Sequence, residues 1–296
     1  MIIDCHYHLD ERLMKMDELI SRMDKSGVEK VALMAPMVEP FKEPPPVLVS
    51  LLQFLLTHKS MRGIGKSLVA NFNADGDINI LGKIYKIDKD PDNAPVFDAV
   101  RKHPDRFAGW VFVNPRGKNA PAAVYEKWKS TPGMIGIKAH SFWHHFKPVE
   151  LAPVARELAK TGKPLLIHVG FGEEGDFYSL LKEVPDLKLI LAHAGFPVYR
   201  ETWERIKDNK HVYVDLSQTS YVGNGITKAV VDYLGVGRCL FGTDGPFGFY
   251  ASDGKFDYGF IKRRIERLFP DKGVQKKLLG DNFAELTGME PGNKAQ

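Results

Sequence analysis

Eight short apolar runs, spaced by stretches with helical character, set the strongest limit on how this chain folds. They are Met1–Cys5, Glu29–Met34, Phe107–Val113, Met134–Lys138, Pro164–His168, Leu187–His193, Val212–Asp215 and Cys239–Asp244. Continuous apolar runs of this length read as parallel strands covered on both faces. Between them, Met16–Ser26 (stopped by Gly27), Glu150–Lys160, Tyr178–Val184 and Thr227–Leu234 read as helices. Eight strand–helix units within 296 residues match a (β/α)8 TIM barrel. A doubly wound open sheet is the competing architecture.

The polar residues decide between the two. His6 and His8, Lys138 and His140, His168, His193 and Asp244 all fall at the carboxyl ends of apolar runs. A barrel gathers those ends into one ring, whereas an open sheet spreads them along a line. In a strand, residues i and i+2 share a face, so His6 and His8 project together. Paired imidazoles suit a divalent transition metal. His168 and His193 close successive strands, and Asp244 closes the last. A buried carboxylate is costly unless paired or bound to a metal. Taken singly, His168 reads as a core histidine and Asp244 as a turn residue before Gly245-Pro246. Five such side chains on one rim point instead to metal chemistry.

Residues 36–95 interrupt the rhythm. Pro36, Pro40, Pro44, Pro45 and Pro46 break the chain, Val47–Leu56 reads as a helix, and a Gly/Asn/Asp-rich region follows to Asn93. This is a long insertion after strand two, read as a cap or dimer contact on the side of the candidate site. Two apparent motifs fail on inspection. Gly63-Ile-Gly-Lys-Ser67 has Ser60 where a phosphate loop needs its first glycine. Asn71–Asn79 resembles a calcium loop, but its twelfth position is Gly82 rather than Glu. The C-terminal part reads as helices over Phe256–Leu268 and Gly273–Leu286. The chain is therefore expected to form one domain over 1–290, with 291–296 as a tail.

The composition is 44% apolar, enough for a sizeable core, and the net charge of +4 comes from scattered lysines and arginines. That pattern reads as a solvated surface rather than a nucleic-acid platform. Cys5 and Cys239 make no disulfide framework and suit a reducing compartment. No run approaches the ~18 residues of a membrane span, and no leader is recognised. The expectation is a cytoplasmic protein that binds a small molecule and neither nucleic acid nor membrane. Homodimerisation is left open.

His6-x-His8, His168, His193 and Asp244, in that strand order, resemble the amidohydrolase superfamily. Within it the chain is similar to the branch of amidohydrolase-related hydrolases, lactonases and aminocarboxymuconate-type decarboxylases. Ile3-Asp-Cys-His-Tyr-His8, His103-Pro-Asp-Arg-Phe107 before Val113-Asn-Pro115, Gly136-Ile-Lys-Ala-His140, Leu191-Ala-His-Ala-Gly195, Phe241-Gly-Thr-Asp244 and Leu279-Gly-Asp-Asn-Phe283 support that branch. The resemblance covers nearly all of the chain outside 36–95 and speaks for fold and metal rather than substrate.

It implies that His6, His8, His168 and Asp244 hold one divalent ion, zinc ahead of manganese, with a position left for water. Asp244 would accept the water's proton and pass it to the leaving group, and His193 would polarise the substrate or orient the water. Lys138 has three readings: a carboxylated lysine bridging two ions, a cation gripping a substrate carboxylate, or a structural ion pair. The second is favoured, and with it one ion over two. His140, His144 and His145 lie just past strand four with Phe142, Trp143 and Phe146, and His140 is the one expected to face the site. Trp110 and Asp215 read as core or supporting residues, and His58, His103 and His211 as surface histidines. The implied function is a metal-dependent hydrolase, with metal-activated water attacking a C–O or C–N bond of a small carboxylated substrate. The alternative is a metal-dependent non-oxidative decarboxylase of an aromatic or muconate-type acid. A non-catalytic binding protein is the third reading, disfavoured by the presence of all five side chains.

Overall fold

Each of the eight apolar runs forms a strand in the computed structural model, which describes residues 1–41, 45–80, 82–248 and 256–289. The strands are β1 (Ile3–His8), β2 (Lys30–Met34), β3 (Phe107–Phe112), β4 (Met134–His140), β5 (Leu165–His168), β6 (Leu189–Leu191), β7 (Val212–Asp215) and β8 (Cys239–Leu240). They pair in chain order, every pair parallel. The ring closes through the segment after β8. Cys5 N donates to Phe241 O (3.0 Å), Asp244 N to His6 O (2.7 Å) and His8 N to Gly245 O (2.7 Å). With helices packed around this ring, the architecture is a (β/α)8 TIM barrel.

The helices form for local reasons. Met16–Ser26 has Asp17 and Glu18 in its first turn and Lys25 in its last, each favourable with the helix dipole. It buries Leu19 and Met23 and stops at Gly27, whose φ of +66° closes the end. The expected C-terminal helix over Gly273–Leu286 is instead Lys272–Lys276, a π turn over Lys277–Asp281, and Asn282–Thr287. The expected helix from Phe256 begins at Phe260.

A bulge in β1 sets what faces inward. Asp4 pairs with Val31 and Tyr7 with Leu33, so β1 spends three residues where β2 spends two. An extra residue shifts the side-chain alternation by one. Ile3 and Cys5 thus join the barrel's inner cluster with Ala32, Met34, Trp110, Leu166, Ile190 and Leu240. Beyond the bulge His8 pairs with Met34, which also faces inward. Tyr7 joins Val31 and Leu33 in the outer layer against the helices. Phe283 and Leu286 cover the inner cluster from the C-terminal helix.

Two strands run further than the sequence pattern suggests. β1 continues through His8, and β4 reaches His140, which pairs with His168. β8 is shorter and hands over to irregular chain that carries Asp244. The region between β2 and helix Ala94–Lys102 contains helices Pro46–Thr57 and Arg62–Val69 and a hairpin of Ile78–Ile80 with Lys83–Tyr85. The first helix matches the expectation for Val47–Leu56. The second was hidden by Gly63 and Gly65, which lower helix propensity. Residue 44 of the proline run and the expected tail 291–296 lie outside the described residues. No helix among the described residues is long and apolar enough to cross a membrane.

Gly136 lets β4 and β5 approach around the inner Trp110. A Cβ there would lie 2.3 Å from Pro164 O and 2.7 Å from Trp110 Cζ3. Gly136→Ala should therefore destabilise the fold by at least about 1–3 kcal/mol, seen as a lower midpoint in urea. An unchanged midpoint would show that the strands can separate without cost.

Candidate metal centre

The mouth of the barrel brings the expected side chains together. His6 Nε2 lies 2.9 Å and His8 Nε2 3.4 Å from Asp244 Oδ1. These three atoms lie within 4.8 Å of one another, and all three residues are buried. Ligand atoms about 2.1 Å from a tetrahedral ion are themselves roughly 3.4 Å apart, so the trio is spaced as a metal site requires. Asp244 and His193 adopt φ of +60° and +55°. Non-glycine residues rarely hold this conformation. Asp244 is fixed in it by its own N–H on His6 O and by Gln218 Nε2, which donates to Oδ2 at 3.0 Å.

Hydrogen bonds fix which ring nitrogen each neutral histidine presents. His8 Nδ1 lies 3.0 Å from the carbonyl of Ala35, which can only accept. His6 Nδ1 lies 2.9 Å from Asp215 Oδ2. Both therefore carry a proton on Nδ1 and turn Nε2 to the centre, the arrangement that suits metal-ligating imidazoles once Nε2 is free of its proton. Asp215 also accepts from Ser217 Oγ at 2.5 Å and from the N–H groups of His193 (2.9 Å) and Ser217 (3.0 Å).

A relay continues from there. The Ser217 hydroxyl donates to Asp215, so its oxygen accepts from His193 Nδ1 at 2.9 Å. His193 Nε2 is then an acceptor for His168 Nδ1 at 3.1 Å. That leaves the lone pair on His168 Nε2, a buried atom with no partner among the described residues. A buried acceptor without a partner costs free energy, and a bound cation would remove that cost. The donor set of two to three imidazoles and a carboxylate thus fits a divalent transition metal. His168 sits outside the close trio of His6, His8 and Asp244, and the second close grouping is His6, His193 and Asp215. Asp215 is already occupied by hydrogen bonds, which suits a supporting role.

Lys138, 1% exposed, places Nζ 3.3 Å from His6 Nε2. Burial lowers its pKa to about 8, against the pull of Asp244 and Asp215. His140 lies inside β4 rather than past it. Its Nδ1 accepts from Trp143 N at 3.0 Å, leaving Nε2–H as its donor, and its ring stacks on His168 with centroids 4.0 Å apart. Phe41, Trp143, Tyr221 and Phe247 complete the cavity wall. His144 is buried instead with Nε2 3.0 Å from Asp88 O, and His145 pairs outside with Glu174 at 2.8 Å. Trp110 Nε1 donates to Cys5 O at 3.0 Å inside the barrel.

The charges sort by surroundings. Burial and Lys138 oppose protonation of His6, but Asp244 and Asp215 outweigh them and its pKa ends raised. Burial lowers His8, drives His140 and His168 well down, and takes His193 to about 4. Asp244 resists burial: His6 and His193 hold its carboxyl well below the usual range.

Four contributors escaped the sequence reading. Asp4 is fully buried and accepts from Thr243 Oγ1 (2.6 Å), Tyr258 OH (3.1 Å) and the N–H groups of Thr243 (2.9 Å) and His6 (3.1 Å). Burial raises its pKa to about 6. Its signal was a carboxylate inside an otherwise apolar run. Ser217, Gln218 and Tyr221 follow β7 in a loop whose sequence carries no comparable sign.

A family model described as amidohydrolase matches residues 3–286. No curated protein matches the chain. A candidate 2-pyrone-4,6-dicarboxylic acid hydrolase from Pseudomonas putida superposes with a TM-score of 0.62 at 15% identity, over 98% of each chain. The 5-carboxyvanillate decarboxylase of Sphingomonas paucimobilis gives 0.60 at 13%, over 98% of this chain and 99% of that one. A dihydroxybenzoic acid decarboxylase from a Polaromonas species, with bound manganese, gives 0.59 at 15%, over 97% and 96%. At these identities the likeness speaks for the barrel, and these three neighbours already represent two kinds of reaction.

Buried His144 makes acid stability testable. Burial holds its pKa at about 4 in the fold, against an ordinary value of 6.5. The unfolded chain therefore binds the extra proton first, and this group's stability is lost as pH falls from about 6.5 toward 4. Asp4 and His6, whose values are raised, act in the opposite direction, so the comparison must be differential. Metal-free His144→Gln should lose less stability than the parent between pH 7 and pH 5, by up to about 1.4 kcal/mol per pH unit. Parallel urea-midpoint curves for the two would refute the assignment.

Proposed function

The chain belongs to the amidohydrolase family, and from that membership we propose that it is a metal-dependent hydrolase cleaving a C–O or C–N bond of a small carboxylated substrate. The observation that carries the reading is His168 Nε2, buried and without a partner among the described residues, in the wall of the same cavity as His6, His8 and Asp244. His6, His8, His168 and Asp244 would hold a single divalent ion, zinc by preference and manganese second. When bound, such an ion supplies Lewis acidity and lowers the pKa of water to about 7.

The remaining work falls to the chain. Asp244, ionised at neutral pH, accepts the proton of the attacking water through Oδ2 and returns it to the leaving oxygen or nitrogen. Gln218 holds that oxygen in place. His193, held by Ser217 through Nδ1, keeps the His168 ring turned to the centre through its Nε2, a positioning role in place of the expected contact with substrate or water. Lys138 offers its cation to a substrate carboxylate, and His140 Nε2–H donates to a second oxygen. The insertion between β2 and β3 caps the mouth and excludes water through Phe41.

The flat aromatic walls of Phe41, Trp143 and Phe247 favour a ring, and this supports a second reading. In non-oxidative decarboxylation the bond between ring and carboxylate breaks, carbon dioxide leaves, and the ring carbon takes a proton that the ionised Asp244 carboxylate first draws from a water molecule, leaving hydroxide to solvent.

His8→Ala should lose bound metal and activity together, read by metal analysis of the purified protein; undiminished metal content would overturn the site as drawn. Asp244→Asn should cost about 10²–10⁴ in kcat. Lys138→Met should raise KM for carboxylated substrates more than it lowers kcat. A panel of lactones, amides and aromatic acids, followed by pH-stat and by carbon dioxide release, separates the two reactions: gas without acid release would replace the hydrolase with the decarboxylase.

A further inference from the structure

We propose that the substrate carries a nonpolar group about the size of a benzene ring, held in an apolar compartment that the insertion builds beside the metal centre. The inference rests on the reading of that centre as a substrate site, and it adds the class of molecule: a polar head joined to an aryl or alkyl tail.

The cavity at the metal centre is small, about 50 Å³. Next to it lies a second cavity of about 160 Å³. Leu48 and Leu52 line it from one insertion helix, Leu68 and Val69 from the other, and Ile78 and Ile80 from the hairpin. Among the described residues its polar lining comes from Asn79, Gln218 and Ser220 with the amphipathic Trp143 and Tyr221, and no charged side chain lines it. A charged or strongly hydrated group placed there would lose its water without replacement. An apolar cavity of about 150 Å³ accepts benzene, so this volume suits a phenyl ring or a chain of about six carbons.

The two cavities share a wall. Phe41, Trp143, Gln218 and Tyr221 line both. Gln218 is the direct link, because its Nε2 also holds Asp244 Oδ2 at 3.0 Å. A molecule reaching past these four side chains would have its tail in the second cavity and its head group beside Asp244.

The compartment is also anchored. Gln53 Nε2 ties its first helix to Thr219 O (2.9 Å) and Ser220 O (3.1 Å) after β7. Arg62 bridges the second helix to Glu201 at 2.9 and 3.2 Å. The first helix is therefore fixed to the barrel loop that carries Gln218, and the second to helix Arg200–Ile206. The first helix also bears Val47, Leu51 and Phe54, which are exposed and do not line the cavity. They provide a control for nonspecific apolar binding.

The test is calorimetric titration of the zinc-loaded protein with straight-chain alkanoates from two to eight carbons and with 1-alkanols of matching length. Both series should tighten by about fourfold per CH₂ until the compartment fills. Leu52→Trp should abolish the dependence on length, whereas Leu51→Ala should leave it as in the parent. Should the tryptophan variant fail to fold, Leu52→Ala should move the plateau to longer chains. Alkanols that tighten with length while alkanoates bind no better would support the compartment and refute the carboxylate preference. Length-independent affinity of both series, a dependence surviving Leu52→Trp, or an unmoved plateau in Leu52→Ala would overturn the proposal.

Discussion

One extra residue in β1 decides what this barrel can do. The bulge between Asp4 and Tyr7 changes the phase of the strand. Before it, Ile3 and Cys5 fill the interior; after it, His6 and His8 reach the mouth. Without the shift, a strand with Ile3 and Cys5 inside would send both histidines toward the helices. The closing segment after β8 is fitted to the same irregularity. Asp4 binds Thr243 on the outer side, while Asp244 N binds His6 O. The seam that closes the barrel is thus the seam at which the candidate metal site forms.

The second organising element is Asp215. Its carboxylate is fully buried and is satisfied by His6, Ser217 and the His193 backbone. From it, proton positions follow along Ser217, His193 and His168. Unpaired buried polar groups are expensive, so occupying the open end of this network would stabilise it. The open end is His168 Nε2, in the wall of the cavity. Supporting and binding residues are therefore linked by one chain of donors and acceptors.

Much of this was legible in the sequence, and the reasons are physical. Strands buried on both faces need unbroken apolar runs, so the eight strands announced themselves. Ionisable residues are costly inside such runs, so His168, His193, Asp244 and the His6–His8 pair stood out at their ends. What escaped had no local signature. A bulge depends on pairing between strands, which Ile3–His8 alone does not reveal. Gln218 and Ser217 are ordinary polar residues whose roles arise from tertiary proximity to Asp244 and Asp215. His140 seemed to lie beyond β4 because Lys138 interrupts the apolar pattern, yet the strand continues through both. In the insertion, three-residue strands and a glycine-bearing helix fall below what periodicity can register.

The fixed proton positions on the histidines have a further bearing. His6 and His8 have their Nδ1 atoms engaged by Asp215 and Ala35, which leaves Nε2 of each facing the centre. The cradle is thus pre-shaped, so little rearrangement accompanies loading. Exchange of one bound ion for another would then be a matter of relative affinity and access through the mouth.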